Sequence, residues 1–450
     1  MAASAEELFD ALGKRYEDAF ADCPNLHKFL ELALKRLPEH SRVLDVGCGT
    51  GKPVAYTLAS AGHQVHGIDS SQTMINIASS QASGKFEKVD MRIYEPGCTF
   101  DGVFAILSLF QFTPGEIYSM CFKFSEWLKP GGYLTIGVTP STDLPPGEYI
   151  YDSTWNCTRQ MGKPWMNSYT DESFFSEEQW KEILHSVRFE IESESRYSFT
   201  PNDPDFNRAE VQYLQLARKV EDQHLLGPYP WPTENELPTT SSACYSANNL
   251  VSEQLDALLR SYTKEEVLCF GCINKDCVST KPNIRTFDGS IEKLPFSAEQ
   301  FDVVLVSWKL ESAVDMEGAL AEILRVTRTN PSSRIMIIQG APDNEFIRFL
   351  NTTSWLPSAR HQGRLLHFAK EYMAGHGFGK ATVSHIRAHY AFPDEDISTK
   401  CKAAVDLLAG DASSIGDREG LISRLELHFR GTEHAIGHNM VMLDMNLTAN

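Results

Sequence analysis

Three glycines at alternate positions follow an apolar run near the start of the chain. The run Arg42–Val46 is typical of a buried strand, and Gly47, Gly49 and Gly51 come directly after it, ahead of a helical stretch. Glycine accepts backbone conformations that turn the chain tightly and expose N–H groups at the start of a helix. Such a turn favours binding of an anionic group.

Carboxylates accompany the neighbouring predicted strands. Asp45 lies within the strand before the glycines, Asp69 ends a second strand, and Asp90 follows a third. Asp69 lies 20 residues beyond Gly49 (69 − 49), the separation expected of a carboxylate that accepts from ribose hydroxyls. A nicotinamide enzyme would have its third glycine at position 52, which is lysine, so the glycine spacing favours a different cofactor.

The elements that must position these residues alternate between strands and helices. Five strands are predicted, at 42–46, 64–69, 86–89, 100–109 and 133–138. Helices are predicted at 54–61, 70–78 and 116–128, with a Lys-Pro-Gly-Gly turn at 129–132. Two amphipathic helices, broken near Cys23-Pro24, precede the first strand. The alternation predicts an α/β fold, a mostly parallel sheet with helices on both faces.

Taken together, residues 41 to about 220 resemble a class I S-adenosylmethionine-dependent methyltransferase. The resemblance is closest to small-molecule methyltransferases, including those of fungal secondary metabolism. It rests on the Gly-x-Gly-x-Gly spacing, the acidic residues near successive strand ends and the Lys-Pro-Gly-Gly turn. It implies a Rossmann-like fold with S-adenosyl-L-methionine as the cofactor.

The resemblance also implies roles for positions around the glycine loop. The methionine part of the cofactor would lie against the backbone of Gly47, Cys48 and Gly49. Asp45 would orient the loop and reach the amino group of the cofactor, directly or through water. Leu107, at the end of the fourth strand, would lie below the sulfonium.

Further family positions follow the second and third strands. The resemblance implies that Asp69 binds the ribose hydroxyls, with Ser70 and Met74 beside it. It implies that Asp90 accepts from the adenine amino group and that Met91 flanks the ring. With the loop positions, these residues form the predicted cofactor site.

Aromatic residues are concentrated after the fifth predicted strand. They are Tyr149, Tyr151, Trp155, Trp165, Tyr169, Phe174, Phe175 and Trp180. In this fold the segment overhangs the edge of the sheet where ligands bind, so it predicts the wall and lid of a pocket for an apolar or aromatic acceptor. Tyr16 is interpreted either as closing over the cofactor or as an ordinary core contact. His185 falls off the apolar face of its helix, and no catalytic acid or base stands out by spacing.

Composition excludes several other classes of protein. The formal charge of −19 and the pI near 5.2 argue against nucleic acid as the main partner. No apolar run approaches the roughly 20 residues of a membrane span, and the first residues do not resemble a signal peptide, so a cytoplasmic protein without a membrane partner is expected. Free thiols are expected among ten cysteines, and Cys269, Cys272 and Cys277 lack the partners of a zinc site, so no metal is predicted.

The pattern of the second half of the sequence indicates a degenerate copy of the first half. Residues 266–272, 283–288, 301–307 and 324–338 echo the glycine loop, third strand, fourth strand and fifth strand in that order. Only Gly271 remains of the three glycines, and no counterpart of Asp69 is found. The predicted organisation is a catalytic domain at 1–221, a proline-rich linker at 222–247 and a methyltransferase-like domain without a cofactor site at 248–450.

The leading hypothesis is methyl transfer to a small, apolar or aromatic metabolite at oxygen, nitrogen, sulfur or carbon. The second domain would be structural or would shape the acceptor cleft. Two alternatives stay open at this point: a cyclase or pericyclase on the same cofactor-bound scaffold, and a non-enzymatic cofactor-sensing or scaffolding protein. A homodimer is also left open.

Overall fold

The structure is a computed structural model that describes residues 3–447 apart from several gaps. The gaps are residues 21, 143, 207, 222–224, 226, 228–249, 272–280, 311–312, 352–361, 394–395, 410–417 and 431–433. The chain divides into two compact units, Met1–Gln223 and His224–Asn450. Apart from residues 225 and 227, the predicted linker lies outside the described residues.

The first unit contains a mixed sheet, a small antiparallel sheet and seven described helices. Its strands are β1 Arg42–Val46, β2 Gln64–Asp69, β3 Lys85–Lys88, β4 Phe100–Ile106, β5 Leu128–Val138, β6 Ile150–Asp152, β7 Cys157–Trp165, β8 Ser168–Phe174, β9 Phe189–Phe199 and β10 Glu210–Lys219. Its helices are α1 Ala5–Leu12, α2 Lys14–Phe20, α3 Pro24–Leu34, α4 Val54–Ser60, α5 Gln72–Gln81, α6 Pro114–Trp127 and α7 Glu177–Ser186.

The main sheet of the first unit has the strand order β3-β2-β1-β4-β5-β10-β9. Strands β1 to β5 are parallel, whereas β10 runs antiparallel to both β5 and β9. Strands β6, β7 and β8 form the separate antiparallel sheet. The carboxyl ends of the parallel strands therefore meet at one edge, where the predicted site residues lie. The predicted α/β class is confirmed.

Several boundaries differ from the sequence predictions. The predicted turn at 129–132 is wrong, because those residues lie inside β5, where Gly131 has a φ of 73° and the pairing register with β4 shifts. The first amphipathic helix is split, because Gly13 ends α1 with a φ of 50°. Helix α5 begins at Gln72, since the Ser71 hydroxyl caps it by accepting from the Met74 N–H.

The core of the first unit packs α3 and α4 against β1, β4 and β10. It contains Leu30, Val43, Ala55, Leu58, Phe104 and Leu214, all at most 1% exposed. Helix α7 buries the apolar face that its sequence predicts, and His185 lies exposed on the opposite side. These contacts hold the sheet edge that carries the site.

In its described residues, the second unit repeats much of this sheet with one strand fewer. Its strands are β11 Leu250–Val251, β12 Val267–Gly271, β13 Ile284–Phe287, β14 Val303–Ser307, β15 Arg334–Gly340, β16 Lys380–Ile386, β17 His389–Ala391, β18 Ala435–Gly437 and β19 Met440–Asn446. Its described helices are α8 Glu253–Ser261, α9 Met316–Val326, α10 Glu345–Asn351, α11 Gln362–Gly375, α12 Ile397–Ala409 and α13 Arg418–Phe429. The main sheet has the order β13-β12-β14-β15-β19-β16.

The strand registers show which residues of the two units correspond. In the first unit Val46 pairs with Ile68, so Gly47 lies beside Asp69. In the second unit Phe270 pairs with Phe287, so Gly271 lies beside Asp288 in the same way. Strand β13 was predicted to echo the third strand, but it pairs directly with β12 and takes the position of β2.

Asp288 therefore corrects the expectation that Asp69 has no counterpart. The same registers place Cys269 where the first unit has Asp45, and Trp308 where it has Leu107. Trp308 and Leu107 both have a positive φ, 56° and 54°, and each donates its N–H to a carbonyl of the next strand. The duplication extends to single backbone angles, although the side chains differ.

Other predictions fall partly outside the described residues. Cys269 is buried on β12, but Cys272 and Cys277 are not described. Within the described ranges, no cluster of three or more His, Cys, Asp or Glu side chains is arranged to hold a metal ion. No described helix combines the length and apolar character needed to cross a membrane.

Removing the Phe104 ring tests the packing of the first unit. Phe104 is 1% exposed in its core, so Phe104→Ala should lower the free energy of unfolding by about 3–5 kcal/mol. Ile93 is 71% exposed, and Ile93→Ala should change it by less than about 0.5 kcal/mol. Urea unfolding of both variants provides the measurement, and equal midpoints would contradict the assignment of this core.

Candidate active site

The glycine loop after β1 is shaped by close approach to the end of β4. Gly47 has a φ of 68°, and a Cβ atom there would lie 2.5 Å from the Cβ atom of Ser108. The N–H groups of Gly47 and Cys48 donate to the Ile68 carbonyl at 2.8 and 2.9 Å. The Gly49 N–H donates to Asp69 at 2.9 Å. The expectation that these amides are exposed for an anion is therefore wrong, since each has a partner inside the protein.

Asp69 ties the ends of β1 and β2 together. Its Oδ2 accepts from the Gly49 N–H and its Oδ1 from the Ser71 N–H, both at 2.9 Å. Burial raises the pKa of Asp69, and the two amide hydrogen bonds act against that rise. Each carboxylate oxygen has a second lone pair, so Asp69 keeps the capacity to accept from a ligand hydroxyl.

Asp45 provides a test of whether the implied cofactor fits. It is 2% exposed, and its Oδ2 has no hydrogen-bond partner. Burial, followed by the nearby charge of Asp69, raises the pKa of Asp45 to about 8. An unpartnered buried carboxylate oxygen is costly unless a donor or cation meets it. The amino group of a methionine moiety supplies both, so the residues present fit S-adenosylmethionine.

Asp90 has an interaction that the sequence did not predict. The Arg92 guanidinium pairs with both of its oxygens, at 3.0 Å or less for Oδ2, and reaches Glu116 at 2.9 Å. Burial alone would raise the pKa of Asp90, but the hydrogen bonds and charge of Arg92 lower it. Asp90 therefore stays ionised and is held in place by a cation.

Most of the predicted cofactor residues surround one cavity of about 300 Å³. They are Tyr16, Gly47, Gly49, Asp69, Ser70, Asp90, Met91 and Leu107. Asp45 and Cys48 line an adjoining cavity that shares Gly47 and Gly49 with the first. Met74 lies beside neither, because its side chain is fully buried beneath α5, so its predicted place next to the cofactor is not supported by the geometry.

Helix α1 and the residues before it contribute cavity residues that sequence reasoning missed. Ser4, Glu6 and Phe9 line the 300 Å³ cavity, and Asp10 accepts from the Ser71 hydroxyl at 2.5 Å. Asp10 also accepts from the Thr73 N–H at 3.0 Å. The amphipathic pattern predicted a helix here, but no local signal showed which residues would face the site.

Tyr16 and Leu107 lie where three cavities meet. Both residues line the 300 Å³ cavity, the adjoining one at Asp45 and a third, largely apolar cavity of about 50 Å³. Burial raises the pKa of Tyr16, and the charges of Asp69 and Glu210 raise it further, so the phenol stays protonated. Tyr16 also stacks on Phe20 at 5.0 Å between ring centroids.

The third cavity, called here the acceptor cavity, is walled by aromatic rings. Of the eight predicted rings, Trp165, Phe174 and Trp180 line it. The other rings that line it, Tyr16, Phe20 and Phe110, come from elsewhere in the chain. Of the remaining predicted rings, Tyr151 and Tyr169 are 65% and 57% exposed. Three of the eight predicted rings therefore line this cavity, and its use as an acceptor pocket stays a prediction.

A charged cluster that the sequence did not reveal also lines the acceptor cavity. The Lys163 ammonium lies 3.0 Å from Glu172 and 3.1 Å from Glu210. Burial lowers the pKa of Lys163, but the two carboxylates outweigh it and the net shift is upward. Burial raises the pKa of Glu172, against the effect of Lys163. Lys163 is on β7, Glu172 on β8 and Glu210 on β10, so only the tertiary structure brings them together.

Two stretches of the chain match protein-family models, each described as "Methyltransferase domain", at residues 43–132 and 265–332. The phosphoethanolamine N-methyltransferase of Plasmodium falciparum is 36% identical over 108 residues, which cover 22% of this chain and 40% of the relative. A ubiquinone biosynthesis O-methyltransferase of Xanthomonas axonopodis is 33% identical over 151 residues, covering 30% and 62%. The first two curated relatives are thus matched over only 40% and 61% of their length.

Among solved structures, a SAM-dependent methyltransferase of Methanosarcina mazei is 20% identical, with a TM-score of 0.36 over 44% of this chain and 98% of that chain. Residues 43–132 and 265–332 each match a methyltransferase-domain model, so the chain carries two methyltransferase-like stretches, one in each unit. Both matches agree with the predicted methyltransferase class and with the predicted duplication.

The buried Asp45 carboxyl gives a pH-dependent test that needs no cofactor. Its pKa is about 8 in the folded protein and 3.8 as the ordinary value, so between these values unfolding releases a proton and stability falls as pH rises. Asp45→Asn replaces the titrating carboxyl group with an amide, so this proton release no longer occurs. The variant should therefore melt at a higher temperature than the wild type, by a margin that grows from pH 5 to pH 8.

The control is Asp18→Asn, because Asp18 is exposed on α2. Its melting temperature should follow the wild-type pH dependence. Melting curves by circular dichroism measure both variants. A constant difference between Asp45→Asn and the wild type over this pH range would contradict the described environment of Asp45.

Proposed function

We propose that the first unit transfers a methyl group from S-adenosylmethionine to a small-molecule acceptor. The observation that supports this best is the junction between the 300 Å³ cavity and the acceptor cavity, which share Tyr16, Leu107 and Phe110. Methyl transfer is an in-line displacement, so donor and nucleophile must face each other across a short gap that excludes water. Two ligand cavities that meet at three apolar or aromatic side chains suit that requirement.

The residues of the first unit supply binding and orientation in this proposal. When bound, the cofactor supplies an electrophilic methyl group. Asp69 accepts from the ribose hydroxyls, with Ser70 beside it, and Asp45 pairs with the amino group of the methionine part. Asp90 and Met91, which line the same cavity, take the adenine end of the cofactor in this proposal. Leu107 and Tyr16 border the place where the methyl group and the acceptor meet.

The second unit has a structural or acceptor-shaping role in this proposal and does not bind the cofactor. Cys269 replaces the buried carboxyl of Asp45, so the amino group of the cofactor has no anionic partner at that position. Asp288, the counterpart of Asp69, has a side chain that is 70% exposed and lies 3.8 Å from the Lys309 ammonium. A buried, amide-held carboxylate of the kind found at Asp69 is therefore replaced by an exposed one.

Replacing Asp69 tests the cofactor site. Asp69→Asn keeps the side-chain shape but replaces one acceptor oxygen with a donor group, so S-adenosylmethionine should bind about 10- to 100-fold more weakly. The matched control is Asp101→Asn, because Asp101 also accepts a backbone N–H from β1, that of Arg42 at 2.9 Å, at the opposite end of the strand. Isothermal titration calorimetry should show unchanged affinity for the control.

The same titration counts the cofactor sites. The wild type should bind one S-adenosylmethionine per chain, and a stoichiometry of two would contradict the proposed role of the second unit. Equal affinities of Asp69→Asn and the wild type would contradict the assignment of the ribose site.

Mass spectrometry of products from a panel of phenols and amines tests the reaction itself. A methylated product gains one CH₂ unit over its acceptor. A product with the elemental composition of its substrate would contradict methyl transfer.

A further inference from the structure

The charged cluster in the acceptor cavity has one negative charge in excess when both of its carboxyl groups are ionised. It contains two carboxylates and a single ammonium, and the side chains of Lys163, Glu172 and Glu210 are only 6%, 3% and 12% exposed. An uncompensated buried charge is expensive in free energy. An anionic acceptor would increase this free-energy cost, and a neutral acceptor with a hydroxyl group would not change it. A cationic acceptor would compensate the excess negative charge and so lower the cost.

The hydrogen bonds of the cluster single out Glu210. Glu172 uses both oxygens, since Oε2 accepts from Lys163 at 3.0 Å and Oε1 accepts from the Thr170 hydroxyl at 2.7 Å. Glu210 uses only Oε1, which accepts from Lys163 at 3.1 Å. In the described part of the chain, no group donates to the other oxygen of Glu210. This oxygen is available to a ligand in the cavity that Glu210 lines.

The surrounding walls suit a cation with an aromatic or apolar body. The rings of Phe20, Trp165 and Phe174 line the same cavity, and aromatic faces attract cations. The Lys163 ammonium already lies 5.6 Å from the centre of the Phe174 ring. Trp180 also lines the cavity, and its indole N–H is buried without a partner, so it is suited to an oxygen atom on the ligand.

We infer that the methyl acceptor is an amine with an aromatic or apolar body, bound through its ammonium group by Glu210. This inference rests on the proposed methyl transfer and names its substrate class. Glu210 is also placed to act as the base. Gln212, two residues further along β10, lines both the acceptor cavity and the cavity at Asp45, so this face of β10 leads from Glu210 toward the cofactor site.

The acceptor ammonium gives one proton to the free oxygen of Glu210, which exposes the nitrogen lone pair. A nitrogen–carbon bond then forms while the sulfur–carbon bond of the cofactor breaks, and that electron pair stays on sulfur. The product leaves as a methylated ammonium, and Glu210 releases its proton to solvent. Lys163 holds Glu210 in place throughout.

Three probes with one carbon skeleton test the inference: tyramine, tyrosol and 4-hydroxyphenylacetate, which carry an amine, a hydroxyl and a carboxylate respectively. All three also carry a phenol oxygen, which can accept from the Trp180 indole N–H, so that contact is the same for each probe. Binding is measured by calorimetry on the cofactor-free protein, so it does not depend on turnover. Tyramine should bind at least about tenfold more tightly than tyrosol, and 4-hydroxyphenylacetate should bind most weakly. Tyramine binding no tighter than tyrosol overturns the inference.

Variants of Glu210 provide the second arm. Glu210→Gln should reduce tyramine affinity about tenfold and leave tyrosol affinity unchanged, whereas Glu210→Asp, which keeps the charge, should retain the selectivity. Glu190→Gln, at an exposed position on β9, is the control and should match the wild type. Preserved selectivity in Glu210→Gln overturns the role of Glu210, and thermal melting confirms that each variant is folded.

The outcomes separate this inference from the proposed function. If the wild type did not bind S-adenosylmethionine, methyl transfer would be contradicted. The selectivity for the amine is measured without the cofactor, so it does not depend on that result. In the loaded enzyme, methylation of tyrosol or 4-hydroxyphenylacetate in preference to tyramine would keep methyl transfer and overturn the amine assignment.

Discussion

The hydrogen bond from the Gly49 N–H to Asp69 holds together the part of the molecule on which the site depends. It fixes the glycine loop after β1 against the end of β2, and the Ser71 N–H holds the other carboxylate oxygen. Burial of a carboxylate is unfavourable, and these two amides offset part of that cost. Because Gly47 lacks a side chain, the loop also approaches Ser108 at the end of β4. Three strand ends are thereby brought around one cavity.

The second unit shows how far a fold persists when its site chemistry changes. Gly271 keeps the close approach of the glycine loop, since a Cβ atom there would lie 1.8 Å from the Ser307 carbonyl oxygen. Trp308 keeps the positive φ of Leu107, but Cys269 replaces the buried Asp45. Backbone geometry is maintained by sheet pairing, whereas ligand binding depends on single side chains, and these have diverged.

The acceptor cavity combines apolar walls with an internal charge. Aromatic rings exclude water, which strengthens every electrostatic interaction inside the cavity. In that setting the excess carboxylate of the cluster formed by Lys163, Glu172 and Glu210 has a larger influence on ligand choice than it would have at the surface. The cavity thus has mostly apolar walls and an acidic cluster of side chains, a combination that the amino-acid composition alone does not indicate.

The sequence by itself determined the fold class and the duplication, because glycine spacing and the alternation of strands with helices are local patterns. It did not show that Arg92 clamps Asp90, that Met74 turns into the core, or that Asp288 stands where Asp69 does. Those facts depend on strand register and side-chain packing, which arise from residues far apart in the chain. The proposed acceptor chemistry depends on tertiary structure in the same way, since only the packing of the small antiparallel sheet against the main sheet brings Lys163 to Glu210.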